Sequence, residues 1–399
     1  MTRLTVDGVY QYICGVCFKK GPPGTVGAET EWLVRAVDDP AARVDASGVR
    51  ALVAAAGAPP GGSAVTYEPG GQVELSSKPF PSLGELHTAL SRDVTFLRET
   101  LAPAGLALAG YGVDPVRGPA FQAEHPRYHC MRDYFVAGGF EDAGLTMMCT
   151  TASVQVCVDI GADAADAARR WRLAHALGPV LVAAFANSPV RRGRRTGLRS
   201  TRQSVWNALD PSRTGSVLRD GEAPEESWTR YALDARVMVV HTDAGDWVAD
   251  PGMTFGEWLA KGEPTLDDLV YHLSTLFPPV RPRGWLELRM IDALPVRYWP
   301  VPVAVATALL DDPVASAVAE AAVEPVRERW EQAARDALGD APLAAAARTC
   351  LAAALDALPR LGADALRPLV AEYADRYVDR GRCPADDALG ALTPREAVS

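Results

Sequence analysis

Lysine is nearly missing from this chain: it stands only at positions 19, 20, 78 and 261, and arginine supplies the remaining positive side chains. With a formal net charge of −10, that scarcity leaves no general basic surface and argues against a nucleic-acid or anionic-membrane binder. Local arginine clusters can still hold small anions. No run of eighteen apolar residues occurs, and the opening MTRLTVDGVYQYICGVCFKK lacks an apolar stretch followed by a small-residue cleavage site. The expectation is a soluble, cytoplasmic protein with no membrane partner. Cysteine arrays are absent too. Cys14 and Cys17 form one C-x-x-C, but Cys130, Cys149, Cys157, Cys350 and Cys383 are dispersed, so no second close pair completes a zinc site. Seven scattered thiols, an odd number, fit reduced cysteines better than a disulfide framework. There is no G-x-x-x-x-G-K-[ST] phosphate loop and no dinucleotide fingerprint following a strand, so any nucleotide chemistry must use another cradle.

What is present is ample material for a core. At 399 residues and 48% hydrophobic content the chain suits a large enzyme domain or two ordinary ones. Residues 27–37 read as a strand, 64–76 as a hairpin around Pro69-Gly70-Gly71, and 82–104 as a helix behind the N-cap Ser82 with Glu85 in capping-box position. The stretch 145–160, LTMMCTTASVQVCVDI, alternates apolar with polar residues and predicts a long half-buried strand; 162–186 predicts helix. Two further strands are expected at 231–241 and 284–291, and from about 301 the chain is Ala-rich with helical periodicity to about 379. Strands and helices are not interleaved at the spacing of a βαβ array. An α+β fold with a largely antiparallel sheet follows.

Three acidic elements stand out. In GAETEWLV, Glu29 and Glu31 share one face of a strand, roughly 6.5 to 7 Å apart. A surface strand could leave both in water; a cation held between them would also resolve the repulsion. Glu68 and Glu74 flank the Pro-Gly-Gly turn of YEPGGQVELSS, and Glu287 and Arg289 share a face of WLELRMI as an ion pair or as a metal ligand beside a phosphate-binding guanidinium. All five carboxylates lie in apolar sequence, where burying a charge is costly unless it is partnered. Hard oxygen ligands suit Mg²⁺, which in proteins usually also holds substrate phosphate. Arginines supply the complement: Arg127 and Arg132 around Tyr128 in HPRYHCMRDYF, and Arg199, Arg202 and Arg213 in GLRSTRQSVWNALDPSRTG, side chains suited to bidentate binding of carboxylate or phosphate.

These residues resemble the glutamate–cysteine ligases of the plant and proteobacterial type, including the actinobacterial enzymes of ergothioneine synthesis. The motifs GAETEWLV, EPGGQVELSSKP, RYHCMRDYF, MMCTTASVQVCVD, ANSP, RQSVWNALDPSRTG, YALDARVM, PTLDDLVYHLSTLFPPVR and WLELRMIDALP follow in family order over roughly residues 27–300. The resemblance implies a glutamine-synthetase-like fold, an antiparallel saddle backed by helices, with a catalytic domain over 1–300 and a helical region over 301–399 packed on it. It implies ATP as co-substrate and the joining of L-glutamate and L-cysteine into γ-glutamylcysteine through a γ-glutamyl phosphate, by a monomer or homodimer. Two or three Mg²⁺ ions would be held by Glu29, Glu31, Glu68, Glu74 and Glu287, with Arg289 facing the phosphates beside Glu287. Arg132 and Arg202 would bind substrate carboxylate, with Arg127, Tyr128 and Trp206 as neighbours and Gln155 pointing into the pocket. Two other readings share these motifs: a ligase with a different amine acceptor, and a non-catalytic metal- or nucleotide-binding relative.

Overall fold

Eleven consecutive residues, Val26–Ala36, form β1, the strand on which the sheet is assembled. The structure, a computed structural model, describes residues 4–240, 247–248 and 252–391. β2 (Ala64–Tyr67) and β3 (Val73–Ser76) make the expected hairpin, followed by β4 (Leu106–Ala109) and β5 (Ser153–Asp159). Two small hairpins, β6–β7 (Val190–Arg191, Arg194–Arg195) and β8–β9 (Val239–Val240, Trp247–Val248), stand apart, and β10 (Val280–Pro282) and β11 (Trp285–Asp292) complete the main sheet. The sheet has seven strands in the order β10-β11-β5-β1-β3-β2, with β4 pairing the second half of β1, and every pairing is antiparallel. The class is therefore α+β, as expected.

Helices α1 (Val6–Tyr12), α2 (Ala46–Ala56) and α3 (Leu83–Leu101) belong to the first part of the chain; α4 (Pro126–Ala137) and α5 (Glu141–Thr150) lead into β5, and α6 (Ala164–Ala176) and α7 (Gly178–Phe185) leave it. Between α7 and β10 lie α8 (Thr201–Asn207), α9 (Pro211–Thr214), α10 (Pro224–Asp234), α11 (Phe255–Lys261) and α12 (Leu266–Ser274). After β11 come α13 (Pro300–Asp311), α14 (Pro313–Val323), α15 (Trp330–Arg335), α16 (Ala341–Ala357), α17 (Arg367–Arg376) and α18 (Pro384–Ala391). Alanine, the best helix former, accounts for the helical character of this last part, and its small side chains let α16 pack closely against α13 and α14.

The period of two in the strands sorts the sheet into two unlike faces. On one, Ala28, Thr30 and Trp32 of β1, Val154, Val156 and Val158 of β5, and Leu286 and Leu288 of β11 are buried against the helices. Each such valine or leucine contributes about 1.5–3 kcal/mol by leaving water. The main apolar cluster runs without a break from these strands into α13, α14 and α16, across position 300. A second, smaller cluster joins α4, α5 and α8 through Met131, Phe135, Met148 and Val205. No single helix among the described residues is long and apolar enough to cross a membrane.

Three sequence expectations need correction. Residues 141–150 are helix, so the strand predicted over 145–160 is confined to Ser153–Asp159. The threonines that read as the polar half of an alternation turn inward on the helix instead: Thr146, Thr150 and Thr151 donate to the carbonyls of Asp142, Thr146 and Met147. The strand expected at 231–241 begins instead with the last turn of α10, which ends at Asp234, and only Val239–Val240 form a strand; position 241 lies outside the described residues. The helix over 162–186 is broken at Leu177, just before Gly178, against which the Trp330 ring packs so closely that a Cβ would lie 2.0 Å from it.

Gly70 in the β2–β3 turn is required for a similar reason: a Cβ there would stand 2.0 Å from the Cys149 carbonyl oxygen. Gly70→Ala should therefore destabilise the protein by roughly 1–3 kcal/mol, as overpacking does. Gly15→Ala, whose Cβ would meet nothing within 4 Å, is the matched control. Urea unfolding midpoints check this; equal midpoints for the two variants would refute it.

Candidate active site

The face of the sheet opposite the apolar one carries the charge. Glu29 and Glu31 on β1 stand beside Ser76 and Glu74 on β3, and Glu29 pairs on its other side with Gln155 on β5. One strand further, Glu287 of β11 pairs with Cys157 on one side and Arg281 of β10 on the other. Glu68 enters from the β2–β3 turn, where its N–H donates to the Gln72 carbonyl at 2.9 Å and Gly71 takes a φ of 89°. Above this floor α4, α5, α8 and the end of α12 close a cavity of about 480 Å³.

Like charges directly opposite on neighbouring strands repel, and the side chains around them show how that is contained. Glu74 accepts from Thr66 Oγ1 at 2.6 Å and Ser76 Oγ at 3.1 Å. Gln155 stands between charges of opposite sign: its Nε2 donates to Glu31 at 3.0 Å and its Oε1 accepts from Arg289 at 2.6 Å. Glu287 is fully buried and gripped by Arg281 at 2.6 and 3.2 Å and by Arg289 at 3.1 Å. Burial opposes ionisation there, but Arg281 and Arg289 prevail and hold the carboxyl down at about 2. Among the described residues no arginine forms an ion pair with Glu29 or Glu31, although Arg289 lies near enough to draw both down somewhat. Burial, and then Glu287 and Glu74, push Glu29 up to about 8; burial and Glu74 push Glu31 up to about 7. Burial, with Glu31 and Glu74, raises Glu68 well above the carboxylate range. Ligand atoms of Glu29, Cys157 and Glu287 all lie within 4.8 Å of one another.

Such a cluster fits a divalent cation chemically: it is rich in carboxylate oxygen, and three of its acids are held away from ionisation by mutual repulsion in a buried space. Glu29, Glu31, Glu68 and Glu74 line the cavity. Glu287 does not; its oxygens face the arginines.

The opposite wall carries arginines and aromatic rings. Arg202 is buried and donates from Nη2 to the Arg289 carbonyl at 2.9 Å, while its Nε and Nη1 have no partner. Its guanidinium stands over Trp206, whose Nε1 is also without a partner. Two unsatisfied N–H groups of a buried cation form a ready carboxylate site. The helix presenting them is fixed at its start: Ser188 Oγ accepts from Arg202 N, and Asp292 accepts from Ser188 Oγ, Ser200 Oγ and Asn187 N. Arg127 and Tyr128 line the cavity from α4, Arg127 donating to the hydroxyl and carbonyl of Ser274 at 2.9 Å each.

Arg132 is not brought into this wall. Arg127, Met131 and Tyr128 span the inward arc of α4, and Arg132 falls at its edge, where it pairs with Asp133 at 2.7 Å and stands over Phe121. Arg213 is also taken up elsewhere, by carbonyls of Arg236 and Thr275. Conversely, the sequence reading passed over Arg281, Thr66, Ser76 and the apolar wall of Met131, Met147, Met148 and Phe277. Mirror symmetry about the turns held part of that signal: Gly284, with φ of 88°, lies midway between Arg281 and Glu287, and Gly70 midway between Thr66 and Glu74.

Comparison with known proteins bears on the chain as a whole. Residues 25–397 match the model of the glutamate-cysteine ligase family 2. The chain is 42% identical over 386 residues to the glutamate–cysteine ligase EgtA of Mycobacterium tuberculosis, covering 94% of this chain and 88% of that one. It is 43% identical over 381 residues to EgtA of Mycolicibacterium smegmatis, covering 94% and 89%. A chloroplastic glutamate–cysteine ligase of Arabidopsis thaliana is 33% identical over 248 residues, 59% of this chain and 47% of that one. Among solved structures, a glutamate–cysteine ligase of Francisella tularensis in complex with AMP shares the fold with a TM-score of 0.55 at 11% identity, covering 93% and 85% of the two chains.

The raised acids give a pH signature. In the unfolded chain Glu29 and Glu31 ionise near the ordinary value of 4.5, whereas the folded protein keeps their protons up to about 8 and 7. Their contribution to stability is thus lost as pH rises from about 4.5 towards 8. Thermal unfolding without divalent cations should show this decline, with a shallower slope in Glu29→Gln. Mg²⁺ should raise the unfolding temperature more at pH 8 than at pH 6 and release protons on binding. A Mg²⁺ effect independent of pH would refute the assignment.

Proposed function

The chain belongs to the glutamate-cysteine ligase family 2, and from that membership together with the charge layout of the bowl we propose how it works. It is an ATP-dependent glutamate–cysteine ligase. An unactivated carboxylate is a poor acyl donor, so the γ-carboxylate of L-glutamate first takes the γ-phosphoryl group of ATP, leaving ADP. The amine of L-cysteine then attacks the acyl carbon, its N–H proton is lost, and phosphate departs as the amide of γ-glutamylcysteine forms. No side chain of the protein enters a covalent intermediate.

The observation that carries the site assignment is one cavity with carboxylates on its floor and the unsatisfied Arg202 guanidinium in its wall. Glu29, Glu31, Glu68 and Glu74 would hold Mg²⁺, two or three ions, which when bound neutralises charge on the phosphate oxygens. Arg289, held by Glu287 and Gln155, supplies positive charge beside that floor. Glu287 acts first as the positioning residue for Arg281 and Arg289 rather than as a primary metal ligand. Arg202 takes the α-carboxylate of glutamate, with Trp206 and Tyr128 beside it. Burial raises the Tyr128 phenol far above its ordinary value, so it stays a hydrogen-bond donor. We place the reaction in the cytoplasm, supplying a thiol pathway such as that to ergothioneine.

With Mg²⁺, ATP and glutamate, phosphate release should depend on cysteine and give a product with the mass of γ-glutamylcysteine. Alanine, 2-aminobutyrate and glycine are the comparison amines, and preference for one of them would overturn the cysteine assignment. Glu29→Gln and Glu74→Gln should each lower turnover more than about 100-fold, the scale of lost transition-state charge stabilisation. Arg202→Lys should raise KM for glutamate by about tenfold or more while moving kcat less, since the ammonium cannot replace the guanidinium fork. Near-normal kinetics in these variants would dismiss the corresponding roles.

A further inference from the structure

On the helical side of the sheet, α6, α14, α15 and the segment 216–218 surround a second cavity, of about 310 Å³, which shares no lining residue with the bowl. Its inner surface is apolar, built from Leu173, Ala176, Leu218, Val323 and Trp330. Its rim carries both signs of charge. Arg169 and Arg327 are engaged by Glu320 and by Glu324 and Glu328 respectively, whereas Arg172 has no hydrogen bond or ion pair among the described residues. His175, buried in the wall, has its Nδ1 at 2.9 Å from the Trp171 carbonyl; a carbonyl only accepts, so the proton is on Nδ1 and Nε2 is a bare acceptor, and that Nε2 has no partner. A half-open cavity of this volume, with an apolar wall under a charged rim that includes one unengaged guanidinium, has the size and make-up of a small-molecule site.

The cavity is also tied to the bowl. The Trp330 ring in its wall lies against Gly178 at the start of α7. One turn further along α15, the Ala334 carbonyl accepts from both Arg199 N and Ser200 N at 2.9 Å. Ser200 caps α8, its hydroxyl accepting from Gln203 N, and α8 carries Arg202 and Trp206. A movement of Trp330 therefore reaches the substrate arginine through one short helix and two hydrogen bonds.

We propose that this cavity is a second ligand site, taking a zwitterionic amino acid with an apolar or aromatic side chain, and that its occupancy repositions Arg202. The carboxylate would meet Arg172, the ammonium the rim glutamates, and the side chain the apolar wall. The effect on glutamate rests on the ligase reading; binding itself does not, so it is measured separately. Calorimetric titration of the full chain with L-phenylalanine should show one saturable site, with phenylacetate and phenethylamine each at least about tenfold weaker. Arg172→Ala, at an exposed position, should weaken phenylalanine about fivefold or more, and Ala176→Phe, which fills the cavity, should abolish binding. Arg172→Ala should keep the wild-type KM for glutamate when phenylalanine is absent. In the wild type phenylalanine should raise that KM by at least about threefold with kcat little changed, a modest coupling between sites. Binding should persist in Arg202→Lys. No binding, equal binding of the two singly charged analogues, or binding unaffected by both cavity variants overturns the site; binding lost only in Arg202→Lys places phenylalanine in the bowl and overturns it too. Binding without a change in KM overturns the coupling.

Discussion

Carboxylates crowded on one face of a sheet, where they repel one another out of water, are the constraint that the rest of this molecule answers. The answer is partly on the other face: Trp32, Val154, Val156, Leu286 and Leu288 are buried in the main apolar cluster and fix the strands whatever the acids do. It is partly lateral. β1 pairs with β5 over Val26–Thr30, with β3 over Glu29–Trp32 and with β4 over Leu33–Ala36, so the strand that carries Glu29 and Glu31 is bonded along its whole length. Finally, the acids are not treated alike. Glu287 is given two arginines and ionises easily, while Glu29 and Glu31 are left with mainly acidic neighbours and retain protons near neutrality. A buried charge with its partners removed is strongly destabilising. The unequal treatment therefore separates an acid that is ionised and gripped by arginines from acids that keep their protons.

Much of this was legible in the sequence because strand periodicity is strict. Glu29 and Glu31, and likewise Glu287 and Arg289, had to share a face once their segments were strands, and the structure places them so. The Pro-Gly-Gly stretch announced a turn, though not that Gly70 would touch the Cys149 carbonyl, since that contact joins residues far apart in the chain. The errors came where polar residues have two ways to be satisfied. Thr146, Thr150 and Thr151 suit a half-solvated strand and equally well a helix on which hydroxyls return to the backbone. Arg132 follows the inward arc of α4 by one position too many, and helix phase relative to a cavity is set by tertiary packing that no local pattern reports. Arg281 was readable only by pairing it across Gly284, which required the turn centre to be known first.

The substrate wall shows the same economy of fixed parts. Arg202 and Trp206 sit on α8, a helix of seven residues that cannot be stable on its own propensity. Its geometry is imposed from outside, by Ser188, Ser200 and Asp292 at its start and by the Ala334 carbonyl behind it. A short, externally clamped helix is a precise mount for a guanidinium whose remaining N–H groups have no protein partner. It also makes the position of that guanidinium answerable to distant packing.

The bowl lies where two apolar clusters meet: its floor belongs to the sheet and the large cluster, while Met131, Met148 and Val205 root much of its wall in the small one. Cooperativity divides accordingly. To free Glu29 by local opening, β1 must leave partners on both edges, so amide hydrogens of that strand exchange with solvent only through the rarest, near-global openings. The helices of the wall are rooted in the smaller cluster. The acids on β1 thus keep their spacing in any opening that leaves the strand's pairings intact.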